Sequence, residues 1–217
     1  MTSPQGERRV QIADPAQRHD LIVLAERARL LDESAVIRLR TRADALLGAW
    51  VATGFDVLAG RVVEGTVRPA DLTCAADQLA AALRTADPSG SVDPGYPMDS
   101  AWRGALPAET GFVHLDDVPA TVLAQLARSG ADLSREQGAH GPPASLLEQE
   151  VLHVSGDAGE VGIPMRCALA LAAMRFLPDE PDAGEVVRVR VSPAWLRIDA
   201  RYGSVFRRRG GAALLLR

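Results

Sequence analysis

The first regular pattern along the chain is an apolar residue at every third or fourth position over residues 15–31. This spacing is typical of an amphipathic helix. Asp14 is placed to cap the helix, Pro15 suits its first turn, and Gln17 stands where a capping box needs an acceptor. The residues that would face the core are Leu21, Leu24, Ala28 and Leu31. The pattern therefore predicts a helix over residues 15–31.

Next come three segments with the period of a strand. Residues 35–42 alternate strictly, which predicts a strand with one apolar and one basic face. The apolar segments 45–52 and 55–63 predict two more strands, joined by a turn at Thr53-Gly54. In the first strand, Ile37, Leu39 and Thr41 would share one face and Arg38, Arg40 and Arg42 the other.

The rest of the chain predicts further helices and strands. A helix should begin near Pro69. Another should cover about 118–129, with Asp117 as its N-cap and Gly130 as its C-terminal stop. A third helix, apolar on nearly all sides, should cover 164–177. Segment 146–154 fits either a strand or a helix. The remaining predicted strands are 111–115, 185–191, 195–202 and 205–216.

Turn-forming residues divide the chain. Residues 1–13 are polar and predict a flexible N-terminus, while the Pro/Gly-rich stretch 86–110 predicts a loop or linker. The expected domains are then an α/β unit at 14–85 and a second one at 111–217. A second short linker is expected at 138–143.

The chain also resembles itself. Residues 36–41 match residues 186–191 in register, each after a predicted helix and before a strand and a glycine turn. This echo predicts an α+β fold with two similar α-β-β-β-type halves and antiparallel sheets, joined by helices and the Pro/Gly-rich loop. Alternating patterns also recur by chance, so duplication and coincidence both stay open.

Composition narrows the function classes. The net charge is -4, and all 24 basic residues are arginine, so a P-loop lysine and lysine Schiff-base chemistry are excluded. The isolated Cys74 and Cys167 suit a reducing compartment, and no apolar run reaches membrane length. We therefore expect a bacterial cytoplasmic protein, without membrane contact and without a cofactor.

Arginines are the main candidates for binding. Arg38, Arg40 and Arg42 would project from one strand face about 6.7 Å apart. Arg188 and Arg190 would do the same in the second half. Guanidinium groups at this spacing could bind carboxylates or phosphates, although a plain solvent-exposed sheet face has the same pattern.

The C-terminal segment is strongly basic. Residues 186–217 contain eight arginines against Asp199 alone, and Arg207, Arg208 and Arg209 are consecutive. A basic strand pair after a helix could be the wing of a winged-helix DNA-binding protein. The helix predicted at 164–177 has few polar side chains for reading a groove, which weakens this alternative.

Three other residues are weaker candidates for chemistry. His114 and Asp116 alternate on a predicted strand, so both could reach one metal ion or proton, and His153 could join them. Trp102 lies in the long loop, where it could anchor a partner or pin the loop to the body. No glycine-serine-glycine elbow of a hydrolase is present.

These patterns favour a non-enzymatic protein-interaction or regulatory module that binds protein, either other copies of itself or another chain, and is oligomeric. A small enzyme or metal-binding protein using His114, Asp116 and His153 is the first alternative. Winged-helix-like DNA binding through the basic C-terminal segment is the second.

Overall fold

The structure is a computed structural model that describes residues 8–43, 45–136, 141–157 and 159–209. Contacts divide it into two compact units. The first takes the chain up to residue 54 together with 60–105, and the second takes 55–59 together with the chain from 106 onwards. Parts of two predictions, the linker at 138–143 and the end of the last strand, lie outside the described residues.

The first unit contains two helices and two antiparallel sheets. One sheet has the strand order β6-β2-β3-β4 and the other the order β5-β1-β7. The elements in chain order are β1 (Arg9–Gln11), α1 (Pro15–Leu31), β2 (Val36–Thr41), β3 (Leu46–Ala52), β4 (Leu58–Glu64), β5 (Thr66–Arg68), β6 (Asp71–Ala75), α2 (Ala76–Arg84), β7 (Ser91–Val92) and a 3-10 turn (Asp99–Ala101).

Helix α1 confirms its predicted bounds and its cap. Asp14 Oδ1 accepts a hydrogen bond from the Ala16 N–H at 2.8 Å. The capping box is wrong, because Gln17 Oε1 accepts from the backbone N–H of Glu64 at 2.9 Å instead. The side chain thereby holds the helix against β4, a contact that local spacing could not predict.

Two predictions in the first unit are corrected by strand pairing. The flexible N-terminus is wrong for the residues around β1, because β1 pairs with β5 and β7 and buries Val10 and Ile12 completely. The helix predicted from Pro69 begins only at Ala76. The preceding residues form the strand β6, in which Leu72 lies opposite Leu39 of β2. Tertiary pairing thus overrides the helical spacing of the apolar residues.

The second unit repeats the combination of helices with an antiparallel sheet. Its main sheet has the order β13-β12-β11-β8, and β9 and β10 form a separate hairpin. Besides residues 55–59 it contains β8 (Val113–Pro119), α3 (Ala120–Glu136), α4 (Ala144–Glu148), β9 (Glu150–Gly156), β10 (Gly159–Pro164), α5 (Met165–Ala173), β11 (Val186–Val191), β12 (Trp195–Ala200) and β13 (Gly203–Arg208).

The boundary between β8 and α3 differs from the prediction at both ends. Asp117 does not cap the helix, because it lies within β8 opposite Arg188. The first helical N–H, that of Ala120, donates to the Glu185 carbonyl at 2.8 Å. Gly130 does not end α3 either, since it is buried inside the helix.

Helix α5 confirms the expected apolar helix, although it ends earlier than predicted, at Ala173. Every residue from Met165 to Leu171 is buried. Phe176 and Leu177 follow the helix and remain in the core. Within the described residues, no helix is both long enough and apolar enough to cross a bilayer.

The fold class is confirmed: α+β, with antiparallel sheets and two units that each pack a pair of helices with strands. The echoing segments form strands of identical extent, β2 and β11. Their places in the two units differ, because β2 follows the first helix of its unit whereas β11 follows the last helix of its own.

Gly130 offers a test of how closely α3 and α5 pack. A Cβ atom at this position would lie 2.5 Å from Sδ of the buried Met165. At an open helix position Gly→Ala would stabilise by about 1 kcal/mol. We expect Gly130→Ala to destabilise instead, by about 1–3 kcal/mol, because of overpacking. Urea unfolding measures this, with the exposed neighbour Ser129→Ala as control; a Gly130→Ala protein as stable as the wild type would contradict the packing.

Candidate functional site

One face of the main sheet in the second unit carries a cluster of arginines and aromatic residues. The register places Arg188 opposite Asp199 and Arg190 opposite Arg197. The residues between them, Val187 and Val189, are buried on the other face. We call this surface the arginine face; it consists of Arg188, Arg190, Trp195, Arg197, Asp199, Ser204, Phe206 and Arg208.

Asp199 is the centre of this surface. Its carboxylate accepts hydrogen bonds from Arg190 Nη1 at 2.5 Å, Arg197 Nε at 2.7 Å and Ser204 Oγ at 2.5 Å. Two arginines directly opposite each other on neighbouring strands repel. A single, largely buried carboxylate (16% exposed) therefore holds both guanidinium groups in place.

Aromatic rings lie under the guanidinium groups. The Arg197 guanidinium lies 5.6 Å from the ring centre of Phe112 and 5.5 Å from that of Phe206. Arg208 covers Trp195 at 5.3 Å. Phe206 and Trp195 are consequently only 7% and 8% exposed. Cations over ring faces are attracted by the ring quadrupole, which fixes the arginines without using up their N–H groups.

Two of the four arginines have no acidic partner. In the described part of the chain, neither Arg188 nor Arg208 forms an ion pair. Arg188 also lines a cleft of about 520 Å³, together with Arg201 and the acidic residues Asp182, Glu185 and Asp199. The surface therefore offers free guanidinium groups beside a shallow depression.

The three consecutive arginines do not act together. Arg207 lies on the buried side of β13, with its guanidinium 3.6 Å from Glu148. Arg208 lies on the arginine face, and Arg209 donates to the Ser192 carbonyl at 3.1 Å. Strand alternation separates residues that are neighbours in sequence, so the expectation of one joint phosphate contact is wrong.

The helix proposed to read a DNA groove cannot do so, because α5 is buried. Its one charged side chain, Arg166, is 5% exposed. This side chain donates to the Phe55 carbonyl at 3.1 Å and to Asp56 Oδ2 at 3.0 Å, and it also pairs with Glu148. Arg166 thus ties residues 55–59 to the second unit, and the winged-helix interpretation is wrong.

In the first unit, the guanidinium group of Arg38 already has a carboxylate partner. Its Nε and Nη2 donate to the two carboxylate oxygens of Asp71, both at 2.8 Å, and this hydrogen bonding lowers the pKa of Asp71. Trp102 is half-buried against the Arg38 guanidinium at 5.8 Å. Arg40 is exposed on the same strand, whereas Arg42 lies beyond its end. Trp102 thus pins its loop to Arg38.

The expected pairing of His114 with Asp116 is wrong. The register between β8 and β11 shifts at a β-bulge, so that Arg190 lies opposite His114 and Val189 opposite Asp116. A bulge breaks the alternation that would have put both side chains on one face. His114 Nε2 lies 2.9 Å from Asp117 Oδ1 instead.

His153 does not join His114. Its Nδ1 lies 3.2 Å from Glu150 Oε1 and its Nε2 lies 3.2 Å from Glu160 Oε2. The two carboxylates approach opposite ring nitrogens and cannot converge on one metal ion with the imidazole. Among the described residues, no three His, Cys, Asp or Glu side chains are grouped to hold a metal.

Sequence reasoning missed the centre of the surface. Arg188, Arg190 and Arg208 were candidates, whereas Asp199, Arg197 and the aromatic residues were not. The signal was present in the predicted strand 195–202, where Trp195, Arg197 and Asp199 alternate with apolar residues. Its meaning depends on which strand lies beside it, and the sequence does not give that register.

Two family models match the chain in tandem. One domain of unknown function (DUF8010) matches residues 5–104, and another (DUF8185) matches residues 107–212. Their junction agrees with the division between the units at residue 105. No curated protein matches the sequence.

Solved structures that match the chain include bacterial sliding clamps and β subunits of DNA polymerase. The β sliding clamp of Caulobacter crescentus is 14% identical, with a TM-score of 0.56, over 96% of this chain and 67% of the clamp. The polymerase β subunit of Streptococcus pyogenes is 11% identical, with a TM-score of 0.55, over 94% and 65%. DNA polymerase III subunit beta of Bartonella birtlesii is 13% identical, with a TM-score of 0.52, over 95% and 66%. The chain thus resembles the sliding-clamp fold and spans about two thirds of each clamp chain.

Removing the Asp199 carboxylate should destabilise the second unit. In Asp199→Asn, Arg190 and Arg197 remain opposite each other without a counter-charge, and we expect a loss of about 1–3 kcal/mol in the free energy of unfolding. The exposed Asp117→Asn is the matched control and should cost less than about 1 kcal/mol. Equal, small losses for both variants in urea unfolding would show that Asp199 does not organise the surface.

His153 should titrate at a pH above that of an ordinary histidine. The hydrogen bond to Glu150, and then that to Glu160, raise its pKa. A raised pKa in the folded state means that these pairs stabilise the hairpin at low pH and that this contribution is lost as the pH rises through the folded pKa. NMR titration should show the His153 pKa falling in both Glu150→Gln and Glu160→Gln; an unchanged pKa would contradict the pairing.

Proposed function

We propose that the protein is a non-enzymatic protein-interaction module and that the arginine face is its contact surface. The fold supports a role in an assembly, because the matching solved structures are described as sliding clamps and as subunits of DNA polymerase. At 10–14% identity this likeness carries no specific partner over to this chain.

The arginine face is the observation that carries the proposal. Arginine, tryptophan and phenylalanine are enriched at the centres of protein interfaces, where a planar cation over an aromatic ring gives a large and rigid contact. Here Arg197 and Arg208 lie over such rings, and Asp199 holds Arg197 in a defined position. The surface is therefore ordered before any partner binds, which lowers the entropic cost of association.

The enzymatic alternative receives less support from the geometry. His114 pairs with Asp117, and His153 pairs with Glu150 and Glu160. Each histidine is thus committed to its own local carboxylates, and all of these side chains are exposed. Catalysis by these residues would need them to converge on a sheltered site.

A cytoplasmic setting belongs to the proposal. Cys74 and Cys167 are both free and buried, and burial raises the pKa of each thiol to about 12. Such thiols are inert in the core and fit a reducing compartment of a bacterial cell.

Site-specific photo-crosslinking in cells tests the contact surface. A photoreactive amino acid at the exposed position 186, which shares a face of β11 with Arg188 and leaves the arginines in place, should form crosslinks to a protein identified by mass spectrometry. The same residue at the exposed position 128 on α3 is the control and should give few. Crosslinking no stronger at the arginine face than at position 128 would contradict the proposal.

Self-association is the part of the proposal that purified protein can test. Size-exclusion chromatography with light scattering at micromolar concentration should show a dimer or a larger assembly, and the same crosslinks should then join two copies. A strict monomer would rule out self-association and would leave a different chain as the partner to be found by crosslinking.

A further inference from the structure

We propose that the arginine face binds an extended, acidic segment of a protein partner, with carboxylates at alternate positions of the segment. This inference rests on the proposed function and specifies the chemistry of its partner. It follows from the spacing of the arginines, from the carboxylate that already occupies part of the surface, and from the covering of the aromatic rings.

The spacing of the arginines matches that of an extended chain. Arg188 and Arg190 occupy alternate positions of β11, about 6.7 Å apart, and Arg208 lies two strands away on the same face. An extended peptide also repeats its side chains on one side every 6.7 Å or so. Carboxylates at positions i and i+2 of such a peptide can therefore meet successive rows of guanidinium groups.

Asp199 shows which chemistry the surface accepts. The Asp199 carboxylate accepts hydrogen bonds from N–H groups of Arg190 and Arg197 and from the hydroxyl group of Ser204. The charges remain unbalanced, because four guanidinium groups stand on this side of the sheet against two carboxylates, those of Asp199 and of Asp117, which lies opposite Arg188 on β8. Arg188 and Arg208, which have no acidic partner in the described part of the chain, are free for carboxylates from outside.

The cleft beside Arg188 marks where an acidic segment would leave the arginine face. Its lining includes Asp182, Glu185 and Asp199 besides Arg188 and Arg201. The Arg201 guanidinium lies 3.7 Å from Glu185 and so already has an acidic neighbour. An incoming carboxylate would therefore stay over the strands and would not enter the cleft, because like charges repel.

The same observations favour an acidic peptide over a nucleic acid. Single-stranded nucleic acids bind largely by stacking bases on exposed aromatic rings. Trp195 and Phe206 are nearly buried under Arg208 and Arg197, so these rings are not open for stacking. Arg188 and Arg208 remain exposed, and a guanidinium fork matches a carboxylate in two parallel hydrogen bonds.

Fluorescence anisotropy with a labelled peptide of alternating glutamate and serine tests the inference. The purified full chain should bind this peptide at low ionic strength, and added salt should weaken the binding. Arg188→Gln and Arg208→Gln should each weaken it by about ten-fold, the loss expected for one charge-assisted hydrogen bond. Arg128→Gln, on the exposed side of α3, is the matched control and should leave the affinity unchanged.

Two further probes decide the identity of the partner. A peptide of the same composition with its glutamates in one block, and a single-stranded oligonucleotide of equal charge, should both bind more weakly than the alternating peptide. Equal binding of the two peptides, or tighter binding of the oligonucleotide, would overturn the inference. Absence of peptide binding would overturn it as well.

Thermal unfolding checks that the variants fold. The substitutions Arg188→Lys and Arg208→Lys are more conservative, because they keep the positive charge and lose only the forked guanidinium group. This pair should bind with intermediate affinity. Crosslinks at position 186 without any preference for the alternating peptide would refute this inference alone, whereas absence of those crosslinks would refute the proposed function.

Discussion

The structure depends on one constraint of the β-strand: neighbouring side chains point to opposite faces, so burying one set of residues exposes the other. In β11 the buried set includes Val187 and Val189, and the other set includes Arg188 and Arg190. The same holds in β2, where Ile37 and Leu39 are fully buried and Arg38 projects outwards. Hydrophobic burial therefore fixes where the guanidinium groups stand.

The consequence is a surface that needs its own stabilisation. Placing Arg190 directly opposite Arg197 costs electrostatic energy, which the carboxylate of Asp199 offsets. In the first unit Arg38 lies opposite Trp50 and Thr73, so no second arginine faces it; Asp71 on the neighbouring strand holds its guanidinium group, and Trp102 covers it. Because Trp102 and its loop cover Arg38, the contact role is proposed for the second unit.

Local patterns predicted the elements whose signals lie within a single stretch of sequence. Helix α1 and strands β2 and β11 have the expected type and nearly the expected bounds, since their periodicity alone decides which face is buried. The boundaries at β6 and β8 were wrong because pairing with a distant strand decided them. Only the register reveals the bulge that separates His114 from Asp116.

The candidate site, like the fold, could be predicted only in part from the sequence. The sequence places charged side chains on predicted strands at Arg188, Arg190 and Arg208. The ring contacts of Arg197 and the three hydrogen bonds of Asp199, by contrast, depend on residues of neighbouring strands. The Arg207–Arg209 run shows the converse, because adjacency in sequence suggested a cluster that strand alternation separates. Composition thus indicated an arginine surface, and three-dimensional register determined its organisation.

The most direct measurement of this organisation is the NMR signal of the Arg197 Nε–H group. We expect a single resolved resonance that is shifted by the rings of Phe112 and Phe206 and exchanges slowly with water. Both properties should be lost when Asp199 is replaced. An Arg197 signal that exchanges rapidly and coincides with those of freely solvated arginines would contradict it.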